Sequence, residues 1–453
     1  MKSVQARVQK IIAELTELQE HPRRLRDGDD AFPFPRMIDA GNGQGLFVSG
    51  KIDENIAKVA DELLSLDPSL QPRFTRAEWR AMVRKSFGPA LAQIDLDDDI
   101  SANADQVLAK VKETLKRDVD HHATREYVFG CTLFGNSDVK PFSIGPVKFE
   151  DRETWLHRKA EEGDISATTQ RRVRDSWAGK RLGKRRPSKD SMDEADVLQA
   201  FAESTFASSI RTVGLGSEAG RDKALTAARL AITGIALLWQ TPSKALHGMN
   251  LLYDRSPRRQ KTISFVPGKA VLSGSSWSHM PHGPRLKSGE WEQKLQERRD
   301  HFQAIGEALE YVVSPSGDVS RPRVMNTLVQ ALLWFHEGCR ETVALMAIVK
   351  FSSSLDALAS GGKARGIREV ITARVGITDD KALWVDGPTM KQAVDEIYSE
   401  GRSRTVHGTN MKIGHDWTST RSLAEQLARL CLIMCIDWAA ANTSSDDPLQ
   451  MRS

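Results

Sequence analysis

A histidine and two arginines stand close together near the C-terminus, in the segment Glu396-Ile-Tyr398-Ser-Glu-Gly-Arg402-Ser403-Arg404-Thr-Val-His407-Gly408. An imidazole titrates near neutrality and can take or give a proton, while a guanidinium grips a phosphate with a planar fork of donors. Together they suit RNA cleavage without a metal. The 2′-hydroxyl attacks the adjacent phosphorus, one group handles the proton, and the other stabilises the growing negative charge. Spacing sets a geometric condition. On a continuous α-helix Arg402 and His407 are five positions and ~140° apart, so they do not share a face, whereas Arg404 and His407, three apart, do. A site built by two copies across a symmetry axis would relieve that mismatch.

A second cationic feature lies upstream. Residues 171–189 hold Arg171, Arg172, Arg174, Lys180, Arg181, Lys184, Arg185, Arg186 and Lys189 against the single anion Asp175, with Gly179, Gly183 and Pro187 among them. The stretch reads as an exposed linker or insertion loop, either contacting a phosphate backbone or simply solvated. Over the whole chain of 453 residues, 64 Lys plus Arg face 60 Asp plus Glu, a net charge of +4. That balance excludes a whole-molecule polyanion binder. Residues 321–453 are as balanced, with 16 cations and 15 anions, so any attraction for RNA must be local.

Other candidates carry less chemistry. Gly45-Leu-Phe-Val-Ser-Gly50-Lys51 nearly spells a phosphate-binding loop, but Ile52 stands where a magnesium-holding hydroxyl belongs. Gly214, Gly216 and Gly220 depart from the GxGxxG dinucleotide spacing and read as a structural turn. His121-His122 and the pair His279/His282 lack further ligands at metal spacing, and Ser273-Gly-Ser-Ser276 is no nucleophile elbow. Cys131, Cys339, Cys431 and Cys435 are too few for a disulfide framework and point to a reducing, cytoplasmic setting. No metal or cofactor is expected. The first twenty residues read as an amphipathic helix, not a signal peptide. The strongest apolar run, Leu430–Ile436, is far short of the ~20 residues that span a bilayer, so no membrane partner is expected.

The elements that must position these groups follow from periodicity. Residues 1–20, 53–66 (with Asp53 as cap) and 76–118 read as helices, and residues 127–134 and 142–149 as strands. A strand ending near Val213 precedes an apolar helix, Ala224–Trp239. Beyond Arg323 the pattern predicts helices at about 323–338, 340–360, 364–375, 388–400 and 418–441, which leaves the Arg402–His407 segment between two of them. The fold class is α+β: a mixed N-terminal half and a C-terminal all-α bundle. Composition divides the chain into 1–190, with the basic linker at its end, a mixed middle region 191–317, and a helical region 318–445.

In this setting Arg402-x4-His407 resembles the Arg-x4–6-His motif of HEPN-domain proteins. The context Tyr398…Arg402-Ser403…Val406-His407-Gly408 is similar to the Apea-like branch of that family. The upstream helix Ala347–Leu358 resembles that branch's second long helix and puts its acidic residue near Asp356, and Phe142–Phe149 resembles the non-HEPN half. The resemblance covers about 120 residues. It implies a helical bundle that dimerises so that both motif copies face one cleft, a metal-independent endoribonuclease, and a defence or toxin effector. It also implies roles: His407 as general acid/base, Arg402 as phosphate clamp, Ser403 as the polar residue after the arginine, and Tyr398 in support. Arg404 matches no motif position and would touch backbone phosphate. Thr409 stands where HEPN toxins silenced by a nucleotidyltransferase carry tyrosine, so that control is not implied. The resulting expectation is a cytoplasmic homodimer that cuts RNA, its N-terminal half receiving a phage-derived trigger. A non-catalytic HEPN module that binds RNA or assembles is the alternative.

Overall fold

The structure, a computed structural model, describes residues 2–21, 36–120, 124–136, 138–254, 259–276, 283–315, 317 and 319–453. Its class is α+β, with helices predominating and a C-terminal region that is all helical. Residues 1–125 with 212–223 form one compact unit, and residues 126–211 with 224–453 form the other.

The first unit is dictated by helical spacing. In α1 (Lys2–Glu20), Val4, Val8, Ile11, Ile12, Leu15 and Leu18 recur at steps of three and four, and all six are buried. They share a core with α2 (Gly50–Leu66), α3 (Arg76–Leu91) and α4 (Ile100–Asp120). A short antiparallel hairpin, β1 (Arg36–Asp39) and β2 (Gly45–Val48), precedes α2. Ser49, rather than Asp53, caps α2, its hydroxyl accepting from the Ile52 backbone N–H at 3.3 Å. Asp53 is drawn instead into ion pairs with Arg84 at 2.8 Å and Arg36 at 3.3 Å.

In the second unit a five-stranded sheet has the order β4-β5-β6-β3-β7. Its strands are β3 (Arg125–Thr132), β4 (Phe142–Ile144), β5 (Val147–Asp151), β6 (Phe206–Thr212) and β7 (Asn250–Leu251). The central strand β6 is buried on both sides, and period-two alternation sorts its residues. Phe206 and Ile210 join the main core, while Ala207 joins a smaller one with Trp155, Leu156, Val173 and Phe201. That smaller core sits beneath α5 (Arg152–Glu161), α6 (Ala167–Trp177) and α7 (Lys189–Phe201). Then come α8 (Ser217–Ala236), α9 (Pro242–Gly248), and a separate hairpin of β8 (Arg259–Val266) and β9 (Lys269–Ser276).

The C-terminal bundle comprises α10 (Glu290–Glu297), α11 (Arg299–Val313), α12 (Pro322–Arg340), α13 (Ala344–Leu358) and α14 (Lys363–Val375). It continues through α15 (Met390–Val394), a π-helical stretch (Asp395–Ser403), α16 (Arg404–Val406) and α17 (Thr418–Ala441). Helices α11, α12, α13 and α17 pack on one another, and the apolar stripe of α17 lies in this core. The two units do not follow the three segments read from composition. Position 190 falls at the start of α7, which packs on α6, and a boundary at 317 would divide one apolar core that runs from the sheet to the bundle. The cation-rich stretch read as a linker is the end of α6 and the surface loop that leads from it into α7. No described helix is long and apolar enough to cross a membrane.

Candidate functional site

The chain does not break before Arg402. Thr389 and Gln392 form a capping box that starts α15, and the helix then widens: the Arg404 N–H donates to Ser399 O, five residues back. π-turns within helices are frequent at functional sites. The segment expected between two helices therefore lies on one, and its local geometry is wider than α-helical arithmetic assumes. Gly401 explains how close it comes to α13. A Cβ at Gly401 would sit 2.7 Å from Ile348 Cγ2, so the missing methyl admits the approach.

That approach delivers Arg402 to Asp356, eight residues further along α13. The Arg402 Nη2 lies 3.9 Å from Asp356 Oδ2, and Nη1 donates to the Tyr398 hydroxyl at 3.4 Å. Its Cζ sits 5.1 Å from the centre of the Tyr398 ring, a cation–π contact. Asp356 is itself fixed, accepting from the Lys363 backbone N–H at 2.8 Å where α14 begins. Burial raises the Tyr398 phenol above its ordinary pKa and the Asp356 charge adds to the rise, so the hydroxyl stays protonated at neutral pH. Arg402 Nε is buried with no hydrogen-bond partner. Arg402 is a held cation whose buried Nε–H is unspent.

His407 is placed differently. It caps α16, with the Thr409 N–H on Arg404 O and the Gly408 N–H on Thr405 O, the paired bonds of a Schellman ending. Gly408 takes the left-handed conformation that ending needs, at φ +70°. The imidazole is exposed, and among the described residues it makes no hydrogen bond or ion pair. Within one chain Arg402 is turned to α13 while His407 meets solvent. Ser403 is half-buried, and its carbonyl accepts from the His407 N–H at 3.0 Å. Arg404 pairs with Glu400 at 3.0 Å one turn back, and Lys412 reaches the same carboxylate at 3.7 Å. Asn410, which sequence reasoning missed, fastens the following loop: its amide donates to Thr405 Oγ1 at 2.8 Å and its oxygen accepts from the Lys412 N–H at 2.8 Å. The Glu400–Arg404 spacing was a legible signal; nothing in the sequence marked Asn410.

The basic stretch is more ordered than a linker. Arg171, Arg172 and Arg174 lie on α6, and the loop after it is tied down by the buried Glu194 of α7. Arg172 donates to Glu194 through Nε at 2.6 Å and Nη2 at 3.0 Å, and also to Gly183 O at 3.0 Å. Arg185 reaches Glu194 at 3.3 Å and Asp190 at 2.6 Å. Arg174 pairs with Glu153 at 3.1 Å, and Lys180 with Asp175 at 2.7 Å. Among the described residues Arg171, Arg181, Lys184, Arg186 and Lys189 are exposed and make no ion pair. Five of the nine cations are therefore available to a polyanion.

The discounted motifs have structural explanations. Gly45 to Val48 is strand β2, and a Cβ on Gly45 would collide with Met37 Cε at 2.0 Å. Gly216 makes room for Glu78, whose carboxylate would lie 2.7 Å from any Cβ there. Glu78 accepts from Ser217 Oγ at 3.1 Å and from the Glu218 and Ala219 N–H groups at 2.5 and 3.1 Å. An anion from the chain itself thus fills the start of α8, where a phosphate would have to sit. Burial alone would raise the Glu78 pKa, but those donors and the Thr75 N–H together hold it low. All four cysteines are buried, and burial pushes the Cys435 thiol up to about 12, the state of inert core side chains. His121, His122, His279 and His282 lie outside the described residues. Compared with family models, curated proteins and solved structures, the chain matches none.

Proposed function

We propose that this chain is a metal-independent endoribonuclease of the Apea-like HEPN type, working as a cytoplasmic homodimer. The observation that carries the reading is the Arg402 cluster. Two helices bring the motif arginine, Tyr398 and Asp356 together, with an unpartnered imidazole at the end of the same helix. In this reading Arg402 of one copy and His407 of the other flank a scissile phosphate. The imidazole takes the 2′-hydroxyl proton, the 2′-oxygen bonds to phosphorus, and the 5′-oxygen leaves with a proton. The products are a 2′,3′-cyclic phosphate and a 5′-hydroxyl, and Arg402 stabilises the charge gathered on the phosphoryl oxygens. The five exposed cations of residues 171–189 hold the RNA backbone. The biological role that accompanies this activity is a defence or toxin effector whose N-terminal region answers a phage-derived trigger.

The test is RNA turnover by the purified chain in excess chelator. His407→Ala is expected to lower it by ~10²–10⁴-fold, the usual weight of a general acid/base, with the oligomeric state unchanged. Undiminished degradation by that variant overturns the proposal. A second reading, a non-catalytic HEPN module for RNA binding or assembly, is favoured by one observation: Asp356 already opposes the Arg402 charge. It expects salt-sensitive RNA retention by the unaltered chain and no cyclic-phosphate ends.

A further inference from the structure

A cavity of about 560 Å³ opens in the first unit between α1, the end of α2, and α4. Its volume is in the range of small-molecule sites, roughly 300–1,000 Å³. The floor is apolar and closely packed: Val4, Trp79, Leu108, Leu115 and Val119 are all buried. The indole N–H of Trp79 donates to Ala60 O at 2.8 Å, which fixes the ring. At the rim Leu63 and Leu70 are half-buried, and Leu66 is 59% exposed, a large apolar side chain at an open mouth.

The polar groups of the lining divide into spent and unspent. Asp67 accepts from the Ser69 backbone N–H at 3.0 Å and from its hydroxyl at 2.5 Å. Arg73 donates to Gly214 O at 2.9 Å and to Val119 O at 3.2 Å. Lys112 and Lys116, one turn apart on α4, are exposed and make no ion pair among the described residues; Asp120 ends the same helix. The lining therefore offers an apolar surface and two adjacent ammonium groups at its edge. A nucleobase would leave its ring donors and acceptors unpaired against leucine and valine, which disfavours a nucleotide. A flexible hydrocarbon has no such cost.

We infer that this cavity binds a single-chain aliphatic anion, its alkyl tail on the leucine floor and its carboxylate at Lys112 and Lys116. The site is independent of the Arg402 segment and goes beyond the ribonuclease reading: it gives the N-terminal unit a ligand class. The experiment is calorimetric titration of the full chain with octanoate, decanoate and dodecanoate below their micellar concentrations. One saturable site per chain is expected, tightening by roughly fourfold per added methylene until the floor is filled. Reversing both charges, Lys112→Glu with Lys116→Glu, should weaken decanoate at least tenfold, and both positions are exposed, so the fold is spared. Decyltrimethylammonium should bind at least tenfold less tightly than decanoate. Absence of saturable binding, equal affinity in the reversed variant, or equal affinity for the cationic chain would each overturn the inference. RNA turnover does not enter this readout, so the two proposals fail separately.

Discussion

Two regions of this chain are marked by arginine, and they use it in opposite ways. Residues 171–189 concentrate nine cations in nineteen positions, yet four are paired within the unit, two of them on the buried Glu194. The Arg402 segment has few cations, yet one of them is held by a ring, a phenol and a carboxylate brought from another helix. Density of charge in a sequence thus says little about charge available at a surface. Position comes from packing: Gly401 lets α13 in, and Asp190 and Glu194 of α7 hold Arg185. In the proposed function the first region attracts a polyanion, and the second orients one phosphate.

The contrast can be broken or sharpened by measurement. The largest effect should come from Arg402→Lys, which keeps the charge but loses the planar fork and the stacking on Tyr398. If the segment orients phosphate, RNA turnover should fall by ~100-fold or more with unchanged thermal unfolding, a loss of the size seen when one oriented donor is removed. Full activity in that variant would reduce Arg402 to a point charge. Next is Gly401→Ala, whose Cβ would press on Ile348; forcing a methyl into such a contact costs about 1–3 kcal/mol. Combined with Ile348→Ala the penalty should be partly relieved, so the two changes should not add in denaturant unfolding. Additivity would show that α13 does not set the position of the motif.

Smaller effects are expected in the basic stretch. Hydrogen bonding by Arg172, with help from Arg185, holds the Glu194 carboxyl below its ordinary pKa. Because that folded value is depressed, its contribution to stability is complete above the unfolded pKa of ~4.3 and is lost as pH falls through the folded value. Hydrogen-exchange protection factors in α6 and α7 should therefore fall on acidification below about pH 4, and Glu194→Gln should abolish that dependence. The smallest signal is in salt. Neutralising Arg171, Arg181, Lys184, Arg186 and Lys189 singly should each lower the log–log salt slope of RNA binding by up to about 0.7, the single-strand value per contact. Neutralising Arg174 or Lys180 should leave it unchanged, and equal slopes for paired and unpaired cations would erase the distinction drawn between them.

Much of this was legible where side-chain period carries the information. The buried stripe of α1 is spelled out by apolar residues three and four apart, and the strands around Phe129 and Phe149 by runs rich in aromatic and β-branched residues. The resemblance marked Asp356 as an acidic position but not as the partner of Arg402, since no local rule joins residues 46 positions apart. What stayed hidden depends on backbone bonding or distant partners. A π-turn leaves no mark on the apolar pattern, so Asp395–Ser403 looked like ordinary helix ending too soon. Ser49 and Asp53 are both capping residues, and Arg84, thirty-one positions on, decides between them. Glu194 hides because its partners stand 9 and 22 residues before it, across a loop.

The carboxylate of Glu78 also has a bearing on how the protein is made. Its partners at the start of α8 are about 140 residues later in the chain, and Arg73 likewise waits for Gly214. At a synthesis rate of ~5–20 residues per second, the first unit spends roughly 7–30 s with only the local partners of these side chains in place, the Thr75 N–H for Glu78 and Val119 O for Arg73. The second unit's sheet strands emerge during that interval. A nascent chain arrested at residue 125 would therefore hold four helices and a hairpin but lack the segment that closes them, a state recognisable by protease sensitivity around α3. Completion of the N-terminal unit is thus tied to the reading of codons beyond 219, and the order of synthesis is not the order of assembly.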